Sequence, residues 1–414
     1  MGGPSVTGFD RLRRPGAAFA VAYGIAMVGG ACGLLGATGA ATAAGGADRA
    51  ALTTGVLIAV YQLSGAVASP YVPRLCRNTN PRLVFARVQA ASAGWWCVTG
   101  VALVLGAPAM PVLLVAAVPA GVANGLMAVL RPILAQCYFE AQSVSTAIAD
   151  LSVVTGVTWA VGALFGGWLL SVVAVGWGLV VFGVLAFVLA ATANRVVPAV
   201  APVASPAAAR SWRDTGAALR DNRVVRWSAV LGVGGALFIT PIGGLVVPIA
   251  QAFRADRPLS GAGILLASFS LGQLCSPAVV RLLTRRRVPL PAGAFATVLC
   301  GASLVTLAVV SARFGDAFGE LAVWVVIGIT FGATRFAAGA LYFGAAAESG
   351  PDHDAPRNLA AVTAVSLVTA PLGVIVCGAV LDSASAEVAV LASGASVAAM
   401  GSLVLRGSRR YDTR

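Results

Sequence analysis

The stretch GAVASPYVPRL occupies Gly65–Leu75, and GQLCSPAVVRL occupies Gly272–Leu282. Gly, Ser-Pro, Arg and Leu return at identical spacing, each time at the close of a long apolar run. Two further echoes follow in the same order. RPILAQCYF from Arg131 pairs with RFAAGALYF from Arg335, and GALFGGWLLS from Gly162 pairs with GVIVCGAVLDS from Gly373. Three ordered echoes mark a duplicated unit, with copies expected at residues 1–194 and 227–414. Between them, residues 195–226 are rich in Pro and Ala and then become basic and amphipathic, the composition of a cytoplasmic linker with an interfacial helix.

The surroundings of these phrases decide the class of protein. Hydrophobic residues make up 58% of the chain and charged residues 10%, whereas roughly a quarter of a soluble domain is charged. Apolar runs of about 20 residues, each long enough to cross a ~30 Å hydrocarbon core as a helix, recur throughout. Twelve are expected, at 16–41, 51–70, 84–105, 111–136, 145–170, 172–194, 228–250, 259–280, 289–311, 317–343, 359–381 and 386–405. The first is too long for a signal-peptide core and reads as a retained helix. Unbroken runs exclude a barrel, whose strands alternate over ~10 residues. The expected fold is an all-α polytopic membrane protein, with twelve transmembrane helices in two pseudo-symmetric six-helix bundles.

The net charge is +13, and all 28 basic residues are Arg. With a cytoplasmic N-terminus, twenty-two fall on inside segments, and Arg49, Arg254, Arg257 and Arg313 fall outside. That bias orients the chain with both termini in the cytoplasm and reads as a topology signal, not as nucleic-acid binding. The seven Cys show no paired spacing, and the single His353 lies in a loop between Asp352 and Asp354. Neither a metal site nor a cofactor is suggested. A membrane-embedded enzyme would need a buried His, Asp or Cys constellation, and the spacing supplies none.

Two six-helix halves related by an axis along the membrane normal are the plan of alternating-access transporters. The loop GAVASPYVPRLCRNTNPRLVF resembles the first cytoplasmic signature of the major facilitator superfamily, Gly-x-x-x-Asp-Arg-x-Gly-Arg-Arg. It keeps Gly65 and the Arg pattern of Arg74, Arg77 and Arg82, with Ser69 in place of the acid. Span five, VTWAVGALFGGWLL, resembles the exporter signature Gly-Pro-x-x-Gly-Gly through Gly162, Gly166 and Gly167, with Ala163 where Pro is usual. SWRDTGAALRDNRVVRW, GAGILLASFSLGQLCSP and PDHDAPRNLAAVTAVSLVTAPLGVIVCGAVLD are similar to the branch holding the enterobactin exporter and related drug exporters. The resemblance implies rocking of the halves about a midplane site. The loops carrying Gly65 and Arg74, and Gly272 and Arg281, would be matched latches, and Gly162, Gly166, Gly167 and Gly373 would form close helix contacts.

Arg131 and Arg335 lie within spans, where a charge costs at least ~2.5 kcal/mol and faces a cavity, a partner or the interface. They either snorkel inward or serve an inner gate that attracts an anionic group. Intramembrane acids are the usual proton carriers. Asp150, which also suits an ion pair with Arg131, and Glu320, which also suits an exposed site beside Asp316, are the proton-coupling candidates. Lining residues expected from spans one, four, seven and ten and the ends of their neighbours are Tyr23, Gln62, Asn124, Met127, Trp159, Phe238, Thr240, Gln273, Trp324, Phe331 and Phe336. Aromatic and apolar, with few hydrogen-bonding groups, they suit a large lipophilic substrate better than a sugar.

The function expected is secondary export of a lipophilic drug-like compound or secondary metabolite, a siderophore among the candidates, by proton antiport. The partners would be that small molecule, the bilayer and the proton gradient, for a monomer with no nucleic acid. A composition weighted to Arg, Ala, Gly and Val points to a GC-rich bacterial source, and the expected location is the bacterial plasma membrane. An importer of the same fold and a non-transporting receptor are the alternatives. Ser69 in place of the acid and Ala163 in place of Pro keep the latter in view.

Overall fold

A computed structural model describes residues 15–72, 75, 79–139, 144–196, 212–253, 258–285, 288–314, 318–350 and 354–408. Lipid leaves backbone N–H and C=O groups no partner but each other, so a chain this apolar resolves into helices. Among the described residues there is no strand. α1 (Pro15–Ala68) is one helical run broken by non-helical dihedrals at Gly46 and Arg49, which fold it into two arms. Gly46 takes the positive φ of 67° that the turn requires. There follow α2 (Pro81–Val104), α3 (Ala109–Phe139), α4 (Val144–Val172) and α5 (Val175–Val196). Then come α6 (Trp212–Asp221) and α7 (Arg223–Gly234), which runs through a π turn, Gly235–Ile239, into α8 (Thr240–Gly244) and α9 (Val246–Phe253). The remainder is α10 (Pro258–Gly272), α11 (Ser276–Thr284), α12 (Pro289–Phe314), α13 (Phe318–Glu348), α14 (Ala355–Ser383) and α15 (Ala386–Ser408).

Ten stretches among the described residues are long and apolar enough to cross a membrane. The two other expected spans are also helical. Pro81–Val104 carries Arg82, Arg87 and Gln89, which lower its hydropathy, and the apolar part of the other is the shorter Val175–Val188.

The opening repeat is visible as a repeated structure. Both copies pass into a 3-10 turn beside the Ser-Pro pair, at Ser69–Tyr71 and at Gln273–Cys275. In both, the buried Ser hydroxyl donates back to the third preceding carbonyl, Ser69 to Ala66 O (3.1 Å) and Ser276 to Gln273 O (2.8 Å). Proline removes one helical N–H, and the tighter turn with its hydroxyl bond accommodates the break.

The preceding glycines let parallel helices meet backbone to backbone. A Cβ at Gly121 would strike Tyr61 O, and one at Gly125 would strike Gly65 O, where the second arm of α1 meets α3. The same contact recurs between α10 and α13, where a Cβ at Gly332 would strike Phe269 O and one at Gly272 would strike Ile329 O. Small residues permit this approach where hydrophobic driving force between helices is absent.

Two antiparallel seams join helices of the first copy to helices of the second. In one, α4 lies on α10, so that a Cβ at Gly263 would stand 2.7 Å from Ala163 O and one at Gly167 2.9 Å from Leu259 O. In the other, the second arm of α1 lies on α14, with Gly55 against Val374 and Gly378 against Ala51. At one end of that seam the Asp382 carboxylate accepts from Ala51 N (3.0 Å) and Leu52 N (2.8 Å), capping the helix that restarts after the Gly46 turn.

The ten-residue α6 does not stand alone. Arg226 donates to its terminal carbonyls, Leu219 O (3.0 Å) and Arg220 O (2.6 Å). Ala218 is fully buried among Val225, Ala346, Ala361 and Val362. Asn222 caps α7 by accepting from Val224 N (2.9 Å) and Val225 N (3.2 Å), while its amide donates to Ser349 O and Oγ (both 3.0 Å). The preceding linker, residues 197–211, lies outside the described residues.

Candidate functional site

A cavity of about 350 Å3 lies between the helices of the two copies. Both arms of α1, with α2, α3, α4 and α5, contribute from one side, and α8, α10, α13 and the Gln273 turn from the other. Of the residues expected to line such a site, Gln62, Asn124, Met127, Arg131 and Trp159 do so from the first copy. Thr240, Gln273, Arg335 and Phe336 do so from the second. The two intramembrane arginines therefore face one and the same space.

Four expected residues lie elsewhere. Tyr23 is 1% exposed and sits beneath the cavity wall, with the Arg131 guanidinium carbon 5.5 Å from its ring centroid and Phe85 at 6.2 Å. Phe331 is fully buried and packs edge-on against Phe269 at 4.9 Å, so it supports a lining residue without being one. Trp324 belongs to a separate small recess beside Glu387. Phe238 packs against the main core. In each case the ring is large enough to be taken up by helix packing, and span number alone does not fix which face it occupies.

The sequence reading missed a wall. Gln89, Ser92, Ala93 and Trp96 of α2 all line the cavity. Their i, i+3, i+4, i+7 spacing is a single helical face, and two of the four are polar within an apolar run, a signal legible in the sequence. Phe269 and Ser270 of α10, and Tyr61, Thr155 and Ala186, are the other notable additions.

The cavity is positively charged and polar at selected points. No Asp or Glu is among its described lining residues. Four lining side chains have a buried polar atom with no partner among the described residues: Gln62 Oε1, Gln89 Nε2, Arg131 Nε and Gln273 Oε1. The Arg335 guanidinium carbon lies 5.3 Å from the Phe336 ring centroid. Trp159 Nε1 donates to Met27 Sδ at 3.4 Å, which holds the indole against α1. The arginines are not matched in depth. Gly65 packs on Gly121 O and Gly125 N, and its counterpart Gly272 packs on Ile329 O and Ala333 N; in that register Arg131 lies six residues beyond Gly125 and Arg335 two beyond Ala333. That difference is about 6 Å along a helix.

Asp150 and Glu320 fall within α4 and α13, but their side chains lie outside the described set, as does Arg74. Arg281 is exposed on α11. Gly162 and Gly166 pack on Val28 and Cys32 of α1, with Cys32 Sγ donating to Gly162 O at 3.0 Å, whereas Gly167 faces α10. Gly373 meets the π turn at Leu237. Among the described residues no three His, Cys, Asp or Glu side chains gather as metal ligands.

Membrane-length helices in two repeated sets, with a cavity walled by both, are the architecture of a secondary transporter. The family model of the Major Facilitator Superfamily matches residues 16–374, and the chain belongs to that superfamily. Solved structures agree in fold. The human organic anion transporter MFSD10 superposes with a TM-score of 0.68 at 14% identity, over 95% of this chain and 99% of that one. The E. coli fucose:proton symporter FucP gives 0.64 at 13%, over 94% and 98%. A bacterial homolog of the human lysosomal transporter Spinster, inward-facing and unoccupied, gives 0.67 at 14%, over 99% of both chains. None of the curated proteins compared matches the sequence.

Proposed function

We propose that this transporter exports a lipophilic drug-like compound or secondary metabolite across a bacterial plasma membrane by alternating access. The observation that carries the reading is the cavity shared between the copies, walled by Met27, Trp96, Trp159 and Phe269 with a few polar side chains. Such a lining binds an apolar body and orients it through few hydrogen bonds. In this reading residues 1–194 rock against 227–414, twelve helices cross the bilayer, and both termini are cytoplasmic, an orientation that the Arg distribution supports. The Gly46 turn and Asp382 then lie outside, and the Ser-Pro turns inside. The glycine signature at Gly162, Gly166 and Gly167 supports the outward direction. Proton antiport rests on Asp150, the acid nearest the cavity along α4.

The test is accumulation of lipophilic dyes, antibiotics and siderophores in a pump-deficient bacterial host expressing the chain, with and without a protonophore. Lower accumulation that the protonophore abolishes and Asp150→Asn weakens is expected. Higher accumulation would reverse the direction, and no change for any compound, with protein folded in the membrane, would refute transport of this class.

A further inference from the structure

The lining residues define the substrate's charge more closely than its shape does. Arg131 and Arg335 enter one cavity from α3 and α13, and no described carboxylate lines it beside them. Arginine stays protonated in proteins, so both charges are permanent. In an enclosed, weakly polar space they are poorly screened, and a neutral guest would bring them no counter-charge. Arg131 also has a buried Nε–H with no acceptor among the described residues. A guanidinium has five N–H donors in a planar fork, which matches the oxygens of a carboxylate, sulfonate or phosphate ester.

Around these charges lie amides that offer both acceptors and a donor. Among the described residues, Gln62 and Gln273, the latter 3% exposed, each present an amide oxygen with no donor, and Gln89 an amide nitrogen with no acceptor. Amides satisfied in this way by a guest require hydroxyl or amide groups on it. Beyond them the wall is aromatic, through Trp96, Trp159 and Phe269. The volume of about 350 Å3 falls at the small end of the range for organic ligands and exceeds any inorganic anion.

We propose that the cavity binds an amphipathic organic anion. Its acidic group is drawn to Arg131 and Arg335, its hydroxyl or amide groups meet the glutamines, and its aromatic or aliphatic body lies on Trp96, Trp159 and Phe269. The proposal rests on reading this cavity as the substrate site, and it narrows the transported class to acids. The stagger of the two arginines gives the acid two successive positions along the path.

The experiment compares charge at constant shape. Thermal unfolding of the purified full-length chain is followed with naphthalene-2-sulfonate, its neutral isostere naphthalene-2-sulfonamide, and inorganic sulfate, at matched ionic strength. The sulfonate is expected to stabilise the protein at a concentration about tenfold or more below the sulfonamide, the margin of one charge-assisted hydrogen bond. Sulfate should stabilise it only at far higher concentration. Arg131→Gln with Arg335→Gln should erase the preference and leave the response to the sulfonamide in place. The wild-type comparison needs no variant, and Arg131→Lys and Arg335→Lys, which keep the charge, should keep part of the preference.

Equal or better stabilisation by the sulfonamide, no response to either compound, or a preference that survives the double substitution would overturn the proposal. Sulfate acting as well as the sulfonate would also overturn it, because the site would then be one for an inorganic anion. Flux of both probes into proteoliposomes separates this proposal from the transport reading. Anion preference in binding without flux removes transport and leaves the site. Equal flux of both probes, unaltered by the arginine substitutions, removes the site and leaves transport.

Discussion

Removing the Asp382 carboxylate should shift the conformational balance of the molecule. After the Gly46 turn, α1 restarts as a helix whose first N–H groups have no helical partner. Asp382, at the far end of α14, accepts from two of them at 3.0 and 2.8 Å. This cap joins the two copies across a seam that otherwise consists of close backbone contact at Gly55 and Gly378. Any motion that parts the copies at this end must break it. Loss of an N-cap costs about 1 kcal/mol and up to about 2 where charge and dipole reinforce each other. Asp382→Ala should therefore raise the population parted at this end about fivefold, or about thirtyfold at the upper figure, for RT of about 0.59 kcal/mol. Spin labels at Arg49 and Ala384, both exposed, in a background with the native cysteines replaced, would report the distance by double electron–electron resonance in nanodiscs. A longer-distance population should grow in Asp382→Ala and grow less in Asp382→Asn, which keeps an acceptor without the charge. An unchanged distribution in both variants would show that the cap holds nothing that moves, and the reasoning would fail.

Three further substitutions test the packing and capping of the helices. Gly332→Ala puts a methyl group onto Phe269 O and should cost about 1–3 kcal/mol, lowering the unfolding temperature. Gly94→Ala, where nothing lies within 4 Å, should be neutral or stabilising by up to about 1 kcal/mol. Asn222→Ala removes the α7 cap and both bonds to Ser349, and should lower stability by about 1–2 kcal/mol in thermal unfolding.

Much of the fold was legible because the bilayer imposes it. Length and hydropathy require helices, and the repeated Gly and Ser-Pro placed equivalent turns at Ser69 and near Ser276. The arginine pair was legible for the same reason, since a cation in an apolar run must find polar surroundings. Aromatic residues were harder. Phe331 and Phe269 both face inward on neighbouring helices, and only the edge-on packing of one behind the other decides which reaches the cavity. The α2 wall escaped because span order assigned α2 to the periphery, although its Gln89 to Trp96 stripe was written in the sequence. The depth offset of the two arginines was hidden because matching the phrases that begin at Arg131 and Arg335 aligns the arginines by construction, while the glycine contacts fix the true register.

The seams have a consequence for how such a protein diversifies. Where α4 meets α10, Gly263 lies against Ala163 O and Gly167 against Leu259 O, so the surfaces that meet there are largely main chain, which is the same for every residue type. Such joints tolerate almost no enlargement, yet they place no demand on the chemistry of the side chains that line the cavity beside them. The seam and the cavity wall are thus encoded by separate letters. Residues such as Gln89 or Trp96 can be exchanged for new ones without resurfacing the seam.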